Sequence, residues 1–162
     1  MNISKLLSTR VRNIKINPFL EDLTAQKNFL HSQINDKKIL VIGGAGTIGS
    51  SYIKQILKYK PSKITVVDIN ENGLTELTRD LRSSNLLDYK PEYITYPVNL
   101  LSITFDKIFK SDTWDVISNF SAHKHVRSEK DKISVEALIK NNVFGAIKLL
   151  NLCEGNPPSY FF

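Results

Sequence analysis

The sequence predicts a doubly wound α/β fold, a parallel sheet with helices on both of its faces. Three observations carry that prediction. From residue 38 onward, short β-branched runs alternate with stretches of helical period. Four of the seven glycines fall within residues 43–49, between one such run and the helix after it. An aspartate, Asp68, closes the next strand. The 162 residues suit one domain and would cramp two. At 41% hydrophobic and 23% charged residues, the composition excludes disorder and collagen-like repeats.

Residues 1–36 read as a prelude. It is irregular to residue 17, then carries one amphipathic helix from Pro18 to about Gln33, with Phe19, Leu20, Leu23, Phe29 and Leu30 at helical spacing. Residues 37–162 form the main domain. Lys38-Ile-Leu-Val-Ile42 is a buried strand, bounded by charge before and glycine after. Thr47 to Lys60 follows as a helix, with Ile48, Tyr52, Ile53, Ile56 and Leu57 on one face, and it ends before Pro61. Lys63 to Asp68 is the second strand and Glu71 to Arg82 the second helix, striped by Leu74, Leu77 and Leu81. Tyr93–Tyr96 and Trp114–Ser118 are the third and fourth strands, with a short helix from Ile103 to Phe109 between them. A long helix from about Ile133 to Cys153 carries Val135, Leu138, Ile139, Val143, Ala146, Leu149 and Leu150 as its apolar side. Pro157-Pro158 stops it, and Ser159–Phe162 reads as a fifth strand at which the sheet is truncated. The expectation is the front portion of a longer protein.

The net charge of +6 comes mostly from residues 1–38, which hold seven basic and three acidic residues; the rest is nearly balanced. No basic stripe interleaved with aromatics is present, so nucleic acid is not an expected partner. No apolar run reaches the ~18–20 residues of a membrane span. Lys5, Arg10, Arg12 and Lys15 break up any signal-peptide core. Cys153 is the single cysteine, which excludes an internal disulfide and places the chain by default in a reducing cytoplasm. His123 and His125 lack a convergent third ligand in the spacing, so no metal is expected.

Gly43-Gly-Ala-Gly-Thr-Ile-Gly49 satisfies both G-x-G-x-x-G and G-x-x-G-x-x-G. Between a strand and a helix, such a string has a specific use. One glycine permits the tight turn, one lets backbone approach a pyrophosphate, and one lets helix and strand pack closely. Free N–H groups at the helix start then face the phosphates. Asp68, 19 residues beyond Gly49, stands where a carboxylate would accept the adenosine ribose hydroxyls. It would repel a 2′-phosphate, and Ile69 supplies no arginine beside it, so NAD is favoured and NADP stays open. No Gly-Lys-Ser/Thr follows, which excludes a P-loop.

These residues resemble the extended short-chain dehydrogenase/reductase superfamily, with its Rossmann-like fold. Within it they look most like the nucleotide-sugar 4,6-dehydratase and epimerase branch of polysaccharide biosynthesis. Leu6-Leu7-Ser8-Thr9-Arg10 is similar to that branch's prelude, and Val67-Asp68-Ile69-Asn70-Glu71-Asn72 to its ribose-binding strand end. The resemblance implies cofactor contacts at Gly43, Gly46, Thr47, Ile48, Gly49, Asp68, Ile69 and Asn70. It extends them to Asn99 and Leu100, where the branch has aspartate and an apolar residue at the adenine, and to Phe120, Ser121 and Lys124 near the nicotinamide ribose. Asn99 and Phe120 depart from the branch's usual residues. Lys124 and His125 are implied at the substrate, a UDP-sugar, and Asn142 as a support of the active site. The branch's chemistry rests on a Tyr-x-x-x-Lys pair, whose lysine eases proton removal by the tyrosine. Tyr52, Tyr93 and Tyr96 are followed four places on by Ile56, Pro97 and Leu100, and Tyr160 lies too near the end. The expectation is that the catalytic pair lies beyond Phe162 and that these residues alone are inactive. A non-catalytic dinucleotide-binding module is the alternative, and a homo-oligomer is left open.

Overall fold

The computed structural model describes residues 18–124 and 131–162. They fall into two compact units, one ending at Gln33 and one running from Ile34 to Phe162. The Leu6–Arg10 stretch lies outside the described residues. Helices α1 (Pro18–Ala25) and α2 (Lys27–Ile34) stand where one helix was expected. The i→i−4 ladder crosses their junction, with Gln26 N–H donating to Asp22 O and Leu30 N–H to Gln26 O, both at 2.9 Å. Leu23 and Phe29 are exposed, so this helix lacks the buried stripe its period suggested.

The remaining elements are β1 (Lys38–Ile42), α3 (Thr47–Ile56), β2 (Lys63–Asp68), α4 (Glu71–Ser83), β3 (Glu92–Pro97), α5 (Ile103–Lys110), β4 (Val116–Asn119), α6 (Lys132–Ile139), α7 (Gly145–Cys153) and β5 (Tyr160–Phe161). All five strands pair in parallel, in the order β3-β2-β1-β4-β5. This is the Rossmann-like doubly wound sheet, whose order reverses between β1 and β4 and so opens a crevice at their carboxyl ends.

Alternation along β1 shows why both faces need helices. Ile39 and Val41 pack with Ile53 and Ile56 of α3, with Leu57 just after it, and with Leu74, Leu77 and Leu81 of α4. Leu40 and Ile42 point the other way, to Phe105, Ile108 and Phe109 of α5 and to Leu149 and Cys153 of α7. Each fully buried aliphatic contributes roughly 1.5–3 kcal/mol relative to exposure. A polar strand face would forfeit that on either side.

Two expectations are corrected. Trp114 precedes β4 and does not start it; its indole N–H donates to Phe109 O at 2.9 Å, which ties it to the end of α5. The long helix is broken into α6 and α7 by a widened i→i+5 turn at Lys140–Phe144. Its apolar side is largely uncovered. Leu149 and Cys153 are buried, whereas Val135, Ile139, Val143 and Leu150 are 39–55% exposed. Only α7 lies on the sheet core, while α6 and the widened turn reach past it to the carboxyl edge.

Candidate functional site

β1 brings the chain to the carboxyl edge at Ile42, and the glycine segment turns it back into α3. Gly43 has φ +73°, and a Cβ there would lie 2.5 Å from the Ser121 backbone nitrogen. A Cβ on Gly49 would meet the Gly43 carbonyl oxygen at 2.4 Å, so this glycine sets how closely α3 approaches the turn. Gly46 is different. An added Cβ would meet nothing nearer than Gly43 O at 3.4 Å, an ordinary contact, and φ is −71°. The fold itself therefore has room for a Cβ at Gly46, and Gly46 lines an open cleft. No side chain caps α3 there, which leaves its first N–H groups for something outside the helix.

Asp68 adjoins this turn. Its Oδ2 accepts the Ala45 N–H and its Oδ1 the Asn70 N–H, both at 2.9 Å. Two backbone donors hold the carboxylate in place, and its remaining lone pairs face the cleft that it lines. Asn70 does not line the cleft; its side chain caps α4 by accepting the Gly73 N–H at 2.9 Å.

The cleft has a volume of about 550 Å³, within the range of small-molecule sites. It gathers Gly43, Gly46 and Thr47 from the turn, Asp68 and Ile69 from the end of β2, and Asn99 and Leu100 from beyond β3. Phe120, Ser121 and Lys124 close it from the segment after β4. Ile48 and Gly49 stand outside this lining, with Ile48 56% exposed. His125 lies outside the described residues. Phe120 packs on Tyr52 of α3, ring centres 5.1 Å apart, and Ser118 Oγ donates to the Tyr52 hydroxyl at 3.0 Å. Burial pushes the Tyr52 hydroxyl above its ordinary value, opposed by that Ser118 bond, so it stays protonated at neutral pH.

Asn142 also lies behind the lining. Its Oδ1 accepts the His123 N–H at 2.9 Å and its Nδ2 donates to His123 O at 2.8 Å. That pair fastens the segment after β4 to the widened turn. The sequence reading missed Ala137, Lys140 and Asn141, which line the cleft from α6 and the turn. For Lys140 and Asn141 a regular helical wheel gives no signal, because they lie in the widened turn, where the register shifts. It also passed over one match to Tyr-x-x-x-Lys spacing, Tyr59-Lys60-Pro61-Ser62-Lys63. Lys63 begins β2 at the amino edge, opposite the cleft, where its Nζ pairs with Glu92 at 2.8 Å and Asp112 at 3.0 Å. That spacing does not make a catalytic pair here. Among the described residues no cluster of three metal-ligating side chains occurs.

A family model described as "Polysaccharide biosynthesis protein" matches residues 39–159, from β1 to the threshold of β5. The chain belongs to that family. Among its polysaccharide-biosynthesis relatives, the probable polysaccharide biosynthesis protein EpsC of Bacillus subtilis is 27% identical over 86% of this chain and 24% of its own length. The dTDP-glucose 4,6-dehydratase of Salmonella typhimurium is 28% identical over 72% of this chain and 31% of its own. The chain thus spans under a third of these relatives. A solved structure of WbmF from Bordetella bronchiseptica, in complex with NAD+ and UDP, superposes with a TM-score of 0.56. It is 18% identical and covers 75% of this chain and 33% of its own, a likeness of fold. The resemblance to the nucleotide-sugar branch of the extended short-chain dehydrogenases/reductases is borne out. Among the described residues no helix is long and apolar enough to cross a membrane.

Proposed function

We propose that this chain is the NAD(P)-binding portion of a nucleotide-sugar 4,6-dehydratase or epimerase acting on a UDP-sugar in polysaccharide biosynthesis in the cytoplasm. When bound, the dinucleotide supplies a hydride acceptor and donor. The chain's residues bind and orient it. The uncapped start of α3 and the bare backbone at Gly46 receive the diphosphate. Asp68, fixed by two backbone donors, accepts ribose hydroxyls and disfavours a 2′-phosphate, so NAD binds more tightly than NADP. Phe120, Ser121 and Lys124 lie toward the nicotinamide end, and Lys124 adds positive charge where a sugar diphosphate would enter.

The observation that carries this reading is Gly46, a glycine the fold does not require, facing an open cleft. Calorimetry with NAD on the wild-type chain and on Gly46→Val tests it. The expected result is binding by the wild type and at least a tenfold loss in the variant, with the thermal midpoint nearly unchanged. Equal NAD affinity in the two proteins, or none in either, would refute it. The 162 residues alone are expected to bind without turnover, because the Tyr59–Lys63 spacing sits at the opposite edge of the sheet. Measurable dehydration of a UDP-sugar by this chain alone would contradict that expectation.

A further inference from the structure

Beyond the phosphates and ribose, the cleft reaches Val98, Asn99, Leu100 and Leu101, the residues that follow β3. The sheet order puts β2 between β1 and β3, and Asp68 pairs in register with Pro97. A nucleotide whose phosphates rest on the turn after β1 and whose ribose meets Asp68 therefore carries its base over the end of β3. Ile69, 69% exposed, and Leu101, 38% exposed, offer apolar surface for a planar ring there. Asn99 supplies the polar contact.

The orientation of the Asn99 amide is decided by a backbone donor. Its Oδ1 accepts the Leu101 N–H at 2.8 Å, a bond only the oxygen can make. Asn99 O further accepts from Ser102 N–H at 3.0 Å and Ser102 Oγ at 2.7 Å, so the turn is held at three points. Among the described residues the Nδ2 group has no bonding partner, on an exposed residue that lines the cleft. An aspartate in this turn would keep the Leu101 bond with one oxygen and offer the other as an acceptor. Asparagine offers a donor instead.

Resting on the dinucleotide reading above, we propose that Asn99 makes the base subsite a reader of a hydrogen-bond acceptor on the purine edge. The 6-amino group of adenine is a donor and mismatches Nδ2, leaving ring N1 as its acceptor. A 6-oxopurine presents O6, an acceptor, at the same edge. The subsite thus takes a dinucleotide carrying hypoxanthine as readily as one carrying adenine.

Calorimetric titration of the full chain with NAD and with nicotinamide hypoxanthine dinucleotide, for wild type and Asn99→Asp, tests this. In the wild type the hypoxanthine dinucleotide is expected to bind within about threefold of NAD, or more tightly. In Asn99→Asp, which keeps the bond to Leu101, its affinity relative to NAD is expected to fall about tenfold or more, as O6 meets a carboxylate. A wild type that prefers NAD by tenfold, or a variant with an unchanged ratio, would overturn the proposal while leaving dinucleotide binding intact. Failure of both dinucleotides to bind the wild type would remove the underlying reading and this inference with it.

Discussion

Asn142 spends both halves of its amide on the backbone of His123, accepting one hydrogen bond and donating another. These two bonds tie the segment from Ser121 to Lys124 to the widened turn. Asn142→Leu is expected to remove both bonds at a stability cost of about 1–2 kcal/mol, since the segment is partly solvated. Faster amide exchange at His123 and several-fold weaker NAD binding should accompany it; unchanged exchange would sink the anchoring role. The residue could be picked out in the sequence through its resemblance to the superfamily's Asn-x-x-Gly stretch. Its actual partner could not, because it is a backbone group 19 residues away that meets Asn142 only through the widened turn between α6 and α7.

At the scale of elements, the glycine turn separates residues needed by the fold from residues left free for a ligand. Gly49 belongs to the first kind, because its missing Cβ makes room for a backbone oxygen that cannot move without shifting α3 from β1. Gly49→Ala is expected to destabilise the chain by about 1–3 kcal/mol, read as a lower urea midpoint. Gly46→Ala should leave that midpoint nearly unchanged. Similar losses in both would mean that the turn is purely structural. The strands were readable because β1 is apolar on both faces and β2 nearly so, with Thr65 its one buried polar residue, the pattern of a covered parallel sheet. The covering of α6 was not, since helical period reports an apolar stripe and not what lies against it. Val135, Ile139 and Val143 keep that stripe in solvent.

For the whole molecule, the amino edge of the sheet is tied by charge. Asp112, ahead of β4, pairs with Lys38 of β1 at 2.8 Å and Lys63 of β2 at 3.0 Å; Lys63 reaches Glu92 of β3. The hydrogen bond from Lys38, helped by Lys63 and the Thr113 N–H, lowers the Asp112 carboxyl to about 2. A folded-state value below the unfolded one means that this stability is present above about pH 4 and is lost as pH falls from about 4 to 2. Screening at the edge leaves it on the order of 1 kcal/mol. Urea midpoints followed from pH 5 to pH 2.5 should fall less steeply in Asp112→Asn than in the wild type; parallel curves would show that the network contributes nothing.

The order of strands and helices, the glycine turn and the acid closing the second strand are local properties. Each follows from a few neighbouring side chains and the backbone they allow, so the sequence alone determined them. Other features needed residues distant in the chain to meet. The tether from Asp68 to Ala45, the amide orientation at Asn99, and the placement of Tyr59 and Lys63 at the wrong edge all depend on strand register and sheet order. Packing decides those, because a side chain's chemistry is set by which backbone donors and charges the fold brings beside it.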